Sequence, residues 1–204
     1  SESAEMLQEG ENVFDWQDED WQQVLPEEEL TTVLTNVKDR KLLYAPVLAC
    51  TIDHIMSATE TKRGGRYILP CLRLMSSDLV IDEIDDFVGA DLIAIGRLIH
   101  LAGMLGRKVM ISSATIPPDM ALSYFHAYQQ GWLIYAASRG GNKQIGCAWV
   151  DEFSTQIFGI KQSEQAAAHY QQYHQKFIKK RVDKLKSLPA IRTGHIIACN
   201  ADAQ

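Results

Sequence analysis

Residues 78–87 have the sequence Asp78-Leu79-Val80-Ile81-Asp82-Glu83-Ile84-Asp85-Asp86-Phe87, a short apolar run that leads directly into four carboxylates. The run is too short and too rich in β-branched residues for a helix, which predicts a strand buried on both faces of a parallel sheet. In open α/β sheets ligands bind beyond the carboxyl ends of the strands, where acids can hold a hydrated Mg²⁺ and orient a water. The stretch therefore predicts an α/β fold with polar chemistry at one sheet edge.

A second stretch repeats this design about thirty residues later. It is Lys108-Val109-Met110-Ile111-Ser112-Ser113-Ala114-Thr115, an apolar run that ends in small hydroxyl residues. Between the two stretches, Asp91 is predicted to cap a helix whose apolar side chains share one face, and Gly106 suits its left-handed end. Two buried strands joined by a helix are thus predicted to end in polar side chains.

In this order, the two stretches resemble the Walker B (DExD-box) and Ser-Ala-Thr motifs of superfamily 2 helicases. Further motifs narrow the resemblance to the CRISPR-associated helicase-nuclease of type I-F systems, over about Pro46 to about Glu152. These motifs are Cys50-Thr51-Ile52-Asp53-His54, Arg63-Gly64-Gly65-Arg66, Leu72-Arg73-Leu74-Met75-Ser76-Ser77-Asp78-Leu79-Val80 and Ser112-Ser113-Ala114-Thr115-Ile116-Pro117-Pro118.

The resemblance implies ATP and Mg²⁺ as cofactors and a role for each motif residue. Asp82 would hold Mg²⁺ through water, and Glu83 would polarise the water that attacks the γ-phosphate. Ser113, Ala114 and Thr115 would couple the nucleotide state to the grip on DNA. The implied activity is ATP-driven translocation on single-stranded DNA with 3′-to-5′ polarity, together with a nuclease domain, after recruitment by an RNA-guided surveillance complex in antiviral defence.

Two further segments are candidates for DNA contact. Thr51 and the amides of the helix that it opens can donate to a phosphate, whereas His54 is either functional or a packed or capping histidine. The loop Lys62–Arg66 combines glycines with cations, and its Arg63 and Arg66 either contact DNA or belong to a simple solvated loop.

No G-x-x-x-x-G-K-[ST] motif occurs in the sequence, so the phosphate-cradling amides and lysine of an ATPase are missing from this chain. We therefore expect a segment of a larger helicase-nuclease that is inert alone. The predicted parts are an acidic arm and short helix (1–40), the later half of a first RecA-like lobe (41–137) with a mainly parallel sheet, and a connecting region toward the second lobe (138–204).

The flanking segments allow alternatives. Residues 1–30 are acidic with interleaved aromatics, which fits a solvated segment or an interaction motif. A long amphipathic helix is predicted at 163–188, with a basic second half that is either a solvated charged face or a face turned to DNA or to a partner. Its predicted apolar side consists of Ala166, Tyr170, Tyr173, Phe177, Leu185 and Leu188.

Other elements are predicted from local patterns. Strands are expected at Val47–Cys50, Ile145–Val150 and Ile191–Cys199, and a short helix at Pro70–Met75. The Pro117-Pro118-Asp119 sequence is expected to open a helix that Gly131 closes, with Trp132–Ala137 as either strand or continued helix. The Asp151-Glu152 pair is interpreted as a chance echo of the first acidic pair.

Composition sets the outer bounds. The chain has 204 residues, of which 46% are hydrophobic and 23% charged, as in ordinary globular domains. The net charge of -6 argues against DNA binding by bulk attraction, so any contact must be local. Scattered cysteines and the lack of a long apolar span predict a cytoplasmic protein without a membrane segment.

Two other classes of function remain open from the sequence. A non-catalytic binding module would explain the missing phosphate loop, and a carboxylate-metal phosphodiesterase would explain the four acids. A specific partner would support the module, metal-dependent cleavage by the chain alone would support the phosphodiesterase, and the segment hypothesis expects neither without the rest of the motor.

Overall fold

A computed structural model describes residues 36–59, 67–189 and 194. The chain divides into two compact units, Ser1–Thr51 and Ile52–Gln204. The described part of the first unit contains one helix, α1 (Val37–Tyr44). The acidic arm, the basic loop Lys62–Arg66 and, apart from Gly194, the strand predicted at 191–199 lie outside the described residues.

The second unit alternates helices and short strands. Its described elements are α2 (Asp53–Met56), a 3₁₀ turn (Ser57–Thr59), α3 (Ile68–Ser76), β1 (Leu79–Ile81), a second 3₁₀ turn (Ile84–Asp86), α4 (Ala90–Met104), β2 (Val109–Ile111), α5 (Pro118–Arg139), β3 (Ile145–Val150), β4 (Thr155–Ile160) and α6 (Ala166–Ser187). No helix among these residues is both long and apolar enough to cross a membrane.

The strands form two separate pairs. β1 and β2 are parallel, with Leu79 opposite Val109 and Ile81 opposite Ile111. β3 and β4 form an antiparallel hairpin with Ile145 opposite Ile160. The predicted α/β class is confirmed, and the β1–α4–β2 unit is consistent with part of a RecA-like lobe. Within the described residues, parallel pairing is limited to β1 and β2.

An apolar cluster lies beneath the parallel pair. Ile84 and Ile95 are fully buried, and Ile99 is almost so, because α4 covers β1 and the turn that follows it. Each fully buried isoleucine side chain contributes roughly 1.5–3 kcal/mol relative to an exposed one. The cluster therefore anchors the acidic segment through Ile84, which lies between the acids and is fully buried. Its buried members are Ile81, Ile84, Ile95, Ile99 and Tyr124.

A second cluster joins α5 to the hairpin and α6. Its rings stack closely, with 4.3 Å between the centroids of Phe125 and Tyr170 and 4.0 Å between those of Phe158 and Tyr173. The buried members are Phe125, Ile145, Trp149, Ile160, Ala166 and Phe177. The hairpin and α6 thus share a core with α5, while the predicted connecting region beginning at residue 138 stays a prediction.

The strand predicted at Val47–Cys50 is wrong. These residues have no regular secondary structure, and the side chain of Val47 is 74% exposed. A buried strand needs a neighbouring strand to satisfy its backbone groups, and none of the described strand pairs includes this segment. The preceding Pro46 also has no amide to donate to a ladder.

The prediction that Gly131 closes a helix is also wrong. α5 continues to Arg139 and ends at Gly140, which has a φ of 61°, so the ambiguous segment Trp132–Ala137 is helical. Gly131 faces α4 instead: a Cβ added there would lie 2.1 Å from the carbonyl oxygen of His100. Close packing against α4 outweighs the cost of about 1 kcal/mol for glycine inside a helix.

Other boundaries differ in detail. The strand at Ile145–Val150, the helix start at Pro117-Pro118 and the left-handed Gly106 are confirmed. Asp91 lies in the first turn of α4, but Gly89 occupies the N-cap position and no side chain caps the helix. Strand β4 was not predicted. The long helix spans Ala166–Ser187, and the predicted apolar residues Leu185 and Leu188 are exposed.

Replacement of Gly131 by alanine tests the α4–α5 crossing. The new methyl group would overlap the backbone of His100 and would lie 2.7 Å from the Met104 amide nitrogen, so the helices must separate. We expect Gly131→Ala to lower the free energy of unfolding by about 1–3 kcal/mol, measured by urea denaturation. Gly96→Ala in α4 is the matched control, because a Cβ there meets nothing within 4 Å. Gly96→Ala should raise the free energy of unfolding by roughly 0.5–1 kcal/mol. If the two substitutions changed the free energy of unfolding equally, the close contact of α4 with α5 at Gly131 would be contradicted.

His174, which lies beside the second cluster, is expected to make the folding stability of the protein depend on pH. Its ring is 5% exposed, its Nδ1 accepts a 3.1 Å hydrogen bond from the Trp149 indole nitrogen, and its Nε2 has no hydrogen-bond partner among the described residues. Burial lowers the pKa of His174 from its ordinary value. Below about pH 6.5 the unfolded chain therefore binds more protons than the folded one, and folding stability falls as the pH is lowered.

We expect His174→Asn to reduce this loss of stability between neutral and mildly acidic pH. Asparagine can place an acceptor near Nδ1 without titrating, although the lost ring contacts will lower stability at every pH. Urea denaturation across that pH range measures the effect, with His169→Asn on the exposed side of α6 as the control. If the free energy of unfolding of His174→Asn depended on pH as steeply as that of the wild type, the buried imidazole would not be the cause of the pH dependence.

Candidate functional site

The parallel pairing of β1 with β2 places the ends of the two predicted motifs side by side. Beyond the strands, the amide of Ser112 donates a 2.8 Å hydrogen bond to the carbonyl of Ile81, and the amide of Ile84 lies 3.5 Å from the carbonyl of Ser112. The backbones thus remain paired into the acidic segment. As a result, the carboxylates and the Ser-Ala-Thr hydroxyls occupy the same sheet edge.

A hydrogen bond joins the two motifs at this edge. The Ser113 hydroxyl donates to the carboxylate of Asp85, and the carbonyl oxygen of Thr115 lies 2.9 Å from the same hydroxyl. The Ser113 hydroxyl, the backbone amide of Asp85 and the Thr115 side chain hold the pKa of Asp85 below its ordinary value, while desolvation acts in the opposite direction. Asp85 is therefore ionised at neutral pH and serves as the fixed acceptor for the Ser-Ala-Thr segment.

The first two acids are exposed, and the backbone between them is strained. An Asp82 carboxylate oxygen accepts a 3.0 Å hydrogen bond from the amide of Glu83. Glu83 has φ 52° and ψ 45°, which makes it the one non-glycine residue with positive φ among the described residues. Such a conformation costs on the order of 1–3 kcal/mol and is concentrated at functional sites. The buried side chain of Ile84 holds the strained turn in place.

The carboxylates do not form a ready-made metal cage. In the described ranges, no group of three or more histidine, cysteine, aspartate or glutamate side chains could hold an ion. A Mg²⁺ ion, however, usually keeps several waters and binds through one or two carboxylates plus substrate phosphates. The exposed Asp82 at the strand end fits that second mode, because it leaves most coordination positions to water and nucleotide.

The remaining predicted residues lie in different places. Ala114 and Thr115 are exposed in the loop after β2, next to Ser113. Thr51 is exposed in the first unit, and His54 is exposed in α2 of the second. Arg63 and Arg66 lie outside the described residues.

The sequence patterns assigned no role to Asp85, which the structure shows as the partner of Ser113. The parallel pattern predicted that acids and hydroxyls would meet, but four acids follow Ile81 within five positions, and sequence spacing does not select one of them. The selection depends on the 3₁₀ turn Ile84–Asp86, which directs Asp85 toward β2.

The second acidic pair has structural partners. An Asp151 carboxylate oxygen accepts hydrogen bonds of 2.8 and 2.7 Å from the amides of Phe153 and Ser154, which closes the β3–β4 turn. Glu152 pairs with Arg181 of α6 at 3.1 Å. Asp151 thus shapes the turn of the hairpin, and Glu152 links that turn to α6.

Two curated proteins resemble this chain. The CRISPR-associated nuclease/helicase Cas3 subtype I-F/YPEST of Pseudomonas aeruginosa is 44% identical over 169 residues, covering 81% of this chain and 15% of that protein. The protein of the same description from Pectobacterium atrosepticum is 49% identical over 119 residues, covering 57% of this chain and 11% of its own length. No family model matches the chain.

The chain is homologous to a segment of type I-F Cas3. The CRISPR-associated helicase-nuclease resemblance seen in the sequence is therefore confirmed. Because the chain spans only 15% and 11% of these Cas3 proteins, the activity, substrates and partners of a complete protein are matters for proposal.

Removal of the Ser113 hydroxyl tests the link between the motifs. Since this hydroxyl is the largest cause of the lowered pKa, Ser113→Ala should raise the pKa of Asp85 toward its ordinary value, as measured by NMR titration of the carboxyl carbon. Ser112→Ala removes a neighbouring exposed hydroxyl that is not among the causes of the shift and should leave the pKa of Asp85 unchanged. If both variants titrate like the wild type, the hydrogen bond does not govern Asp85 in solution.

Proposed function

We propose that this chain supplies the nucleotide-hydrolysis edge and the coupling segment of an ATP-dependent motor that moves along single-stranded DNA. The observation that carries the proposal is the hydrogen bond from Ser113 to Asp85 across the ends of two parallel strands. That bond connects the acidic segment to the Ser-Ala-Thr loop directly. A shift of the acidic segment can therefore be transmitted through this hydrogen bond to the Ser-Ala-Thr loop.

The acids divide the chemistry between them under this proposal. MgATP, when bound, supplies the phosphoryl group and the cation that neutralises its charge. Asp82 orients waters of the cation, and Glu83 accepts a hydrogen bond from the attacking water and polarises it. The left-handed backbone of Glu83 gives its carboxylate a direction different from that of Asp82, so the two adjacent acids can serve different waters.

Ser113 and Thr115 serve as the coupling residues. Both lower the pKa of Asp85, so they stabilise its ionised form and depend on its position. When the acidic segment shifts with the nucleotide state, this contact moves the loop after β2 and the start of α5. Thr51, His54, Arg63 and Arg66 are proposed to hold the phosphate backbone of the DNA strand.

The rest of the motor comes from other parts of a longer protein. We propose that the phosphate-binding loop, the second lobe and a nuclease domain lie there, that residues 41–137 belong to the later half of the first RecA-like lobe, and that residues 138–204 lead toward the second lobe. The complete protein would act in the cytoplasm with an RNA-guided surveillance complex in antiviral defence. Both relatives are described as nuclease/helicases of CRISPR systems, which supports this proposal. The chain alone should be inert.

Substitution of Glu83 in the complete protein tests the catalytic assignment. Glu83→Gln keeps the size of the side chain but removes the base, so ATP should bind while its DNA-stimulated hydrolysis falls by a factor on the order of 10² to 10⁴. Asp86→Asn removes a carboxylate three positions away and should retain most of the activity. Hydrolysis at the wild-type rate in Glu83→Gln would refute the assignment.

The double substitution Ser113→Ala with Thr115→Ala should give the opposite signature. It leaves Glu83 in place, so ATP hydrolysis should survive better than strand separation when both are measured on the same preparation. A parallel loss of both activities would show that the hydroxyls support hydrolysis itself rather than coupling.

A further inference from the structure

A lysine-rich face on the second half of α6 is unused by the proposed motor chemistry. Residues three and four apart lie on the same side of a helix, and the four lysines of this face follow that spacing. Together with Asp183 and Ser187 they line a shallow surface that includes no apolar or aromatic side chain in the described part of the chain. The four are Lys176, Lys179, Lys180 and Lys184. We call this set the lysine face.

The positive charge of this face is only partly balanced within the described structure, because its four lysines share one carboxylate, that of Asp183. Arg181 on the adjoining side is paired with Glu152, and the Lys184 ammonium lies 5.3 Å from the centre of the Phe153 ring. Lys176, Lys179 and Lys180 are exposed and form no ion pair with a described carboxylate. Like charges at this spacing each cost a few tenths of a kcal/mol in helix stability. The face therefore keeps a net positive charge that the described residues do not neutralise.

The chemistry of the face selects a polyanion as partner. Protein interfaces are depleted in lysine and are centred on aromatic and arginine anchors. Neither kind of anchor is among the residues that line this face, since Phe153 and Arg181 lie beside it and contact Lys184 and Glu152. Proteins that bind single strands place aromatic rings against the bases, and such rings are likewise missing from the lining. Ammonium groups alone suit the phosphates of a duplex, whose bases are already stacked.

The spacing of the lysines also fits a duplex. Lys176, Lys180 and Lys184 are four residues apart, which corresponds to about 6 Å per step along the helix. The full span of about 12 Å covers three to four phosphates of one strand, at roughly 3.4 Å each along the duplex axis. Successive lysines can therefore reach successive or alternate phosphates.

We propose that the lysine face of α6 binds the phosphate backbone of duplex DNA without regard to sequence. The lysine face lies on α6, which packs against α5 and the hairpin in the second apolar cluster. The acidic edge packs instead on the first cluster, which includes Ile81 and Ile84. The duplex contact is thus additional to the grip on the translocated single strand. The choice of DNA as the nucleic acid rests on the proposed function.

The test uses the 204-residue chain and a short, labelled duplex of mixed sequence, with binding followed by fluorescence anisotropy at increasing salt. The combined substitution Lys176→Gln, Lys179→Gln and Lys180→Gln should weaken duplex binding on the order of 10-fold at low salt. Three lost phosphate contacts should also reduce the slope of log Kobs against log salt by about 2 to 3. Binding of a single strand of equal length should change less.

A charge-matched control separates the face from bulk attraction. The combined substitution Arg97→Gln, Lys143→Gln and Lys161→Gln removes three exposed cations outside α6 and should change duplex affinity less than about 3-fold. Equal weakening by the two triple variants, or a loss confined to single strands, would overturn the proposal. So would failure of the wild-type chain to bind duplex at low salt. Circular dichroism verifies that both variants remain folded.

This outcome is separable from the proposed function. The lysine substitutions should leave ATP hydrolysis without DNA unchanged in the complete protein, because they do not touch the acidic edge. A failure of duplex binding would leave the Glu83 assignment intact, and a failure of Glu83→Gln to lower hydrolysis would leave duplex binding intact.

Discussion

The pairing of β1 with β2 is the constraint on which the candidate site depends. Each strand has only three residues, yet the ladder fixes which residue of the acidic segment lies beside which residue of the Ser-Ala-Thr loop. A register shift of one position would turn the side chains to the opposite faces and would separate Ser113 from Asp85. Two short strands are weak alone, so the register depends on the isoleucine cluster beneath them.

The sequence predicted the order and parallel pairing of this part of the fold because its signals are local. The prediction that both faces of the strands are buried was wrong, since Val80 is 60% and Met110 58% exposed. Two β-branched runs, each followed by polar side chains and separated by an amphipathic helix, define a β–α–β unit almost without tertiary information. The same logic failed at Val47–Cys50, because an apolar run becomes a strand only when a neighbour pairs with it. β4 was missed for a related reason: Thr155–Ile160 contains glutamine and glycine, and its strand character comes from pairing with β3.

The candidate site shows the same limit at the level of single residues. That carboxylates and hydroxyls would meet was predictable, but the choice of Asp85 as the partner of Ser113 arises from one 3₁₀ turn and one left-handed residue. Glutamate has no intrinsic preference for positive φ, so its conformation follows from the burial of Ile84 and the pairing of the strands. Sequence patterns describe preferences of residues, whereas this geometry is imposed on residues against their preference.

The close crossing of α4 and α5 has a mechanical consequence. Gly103 and Gly131 face the opposing backbone, and a Cβ at either position would lie within 2.6 Å of a carbonyl oxygen on the other helix. If one helix slid along the other, a neighbouring side chain would enter the space that only glycine leaves open. Tyr128, one turn before Gly131, packs against both apolar clusters. The two helices are thus interlocked and resist sliding past each other, so we expect them to move as one body that links the acidic edge to the hairpin.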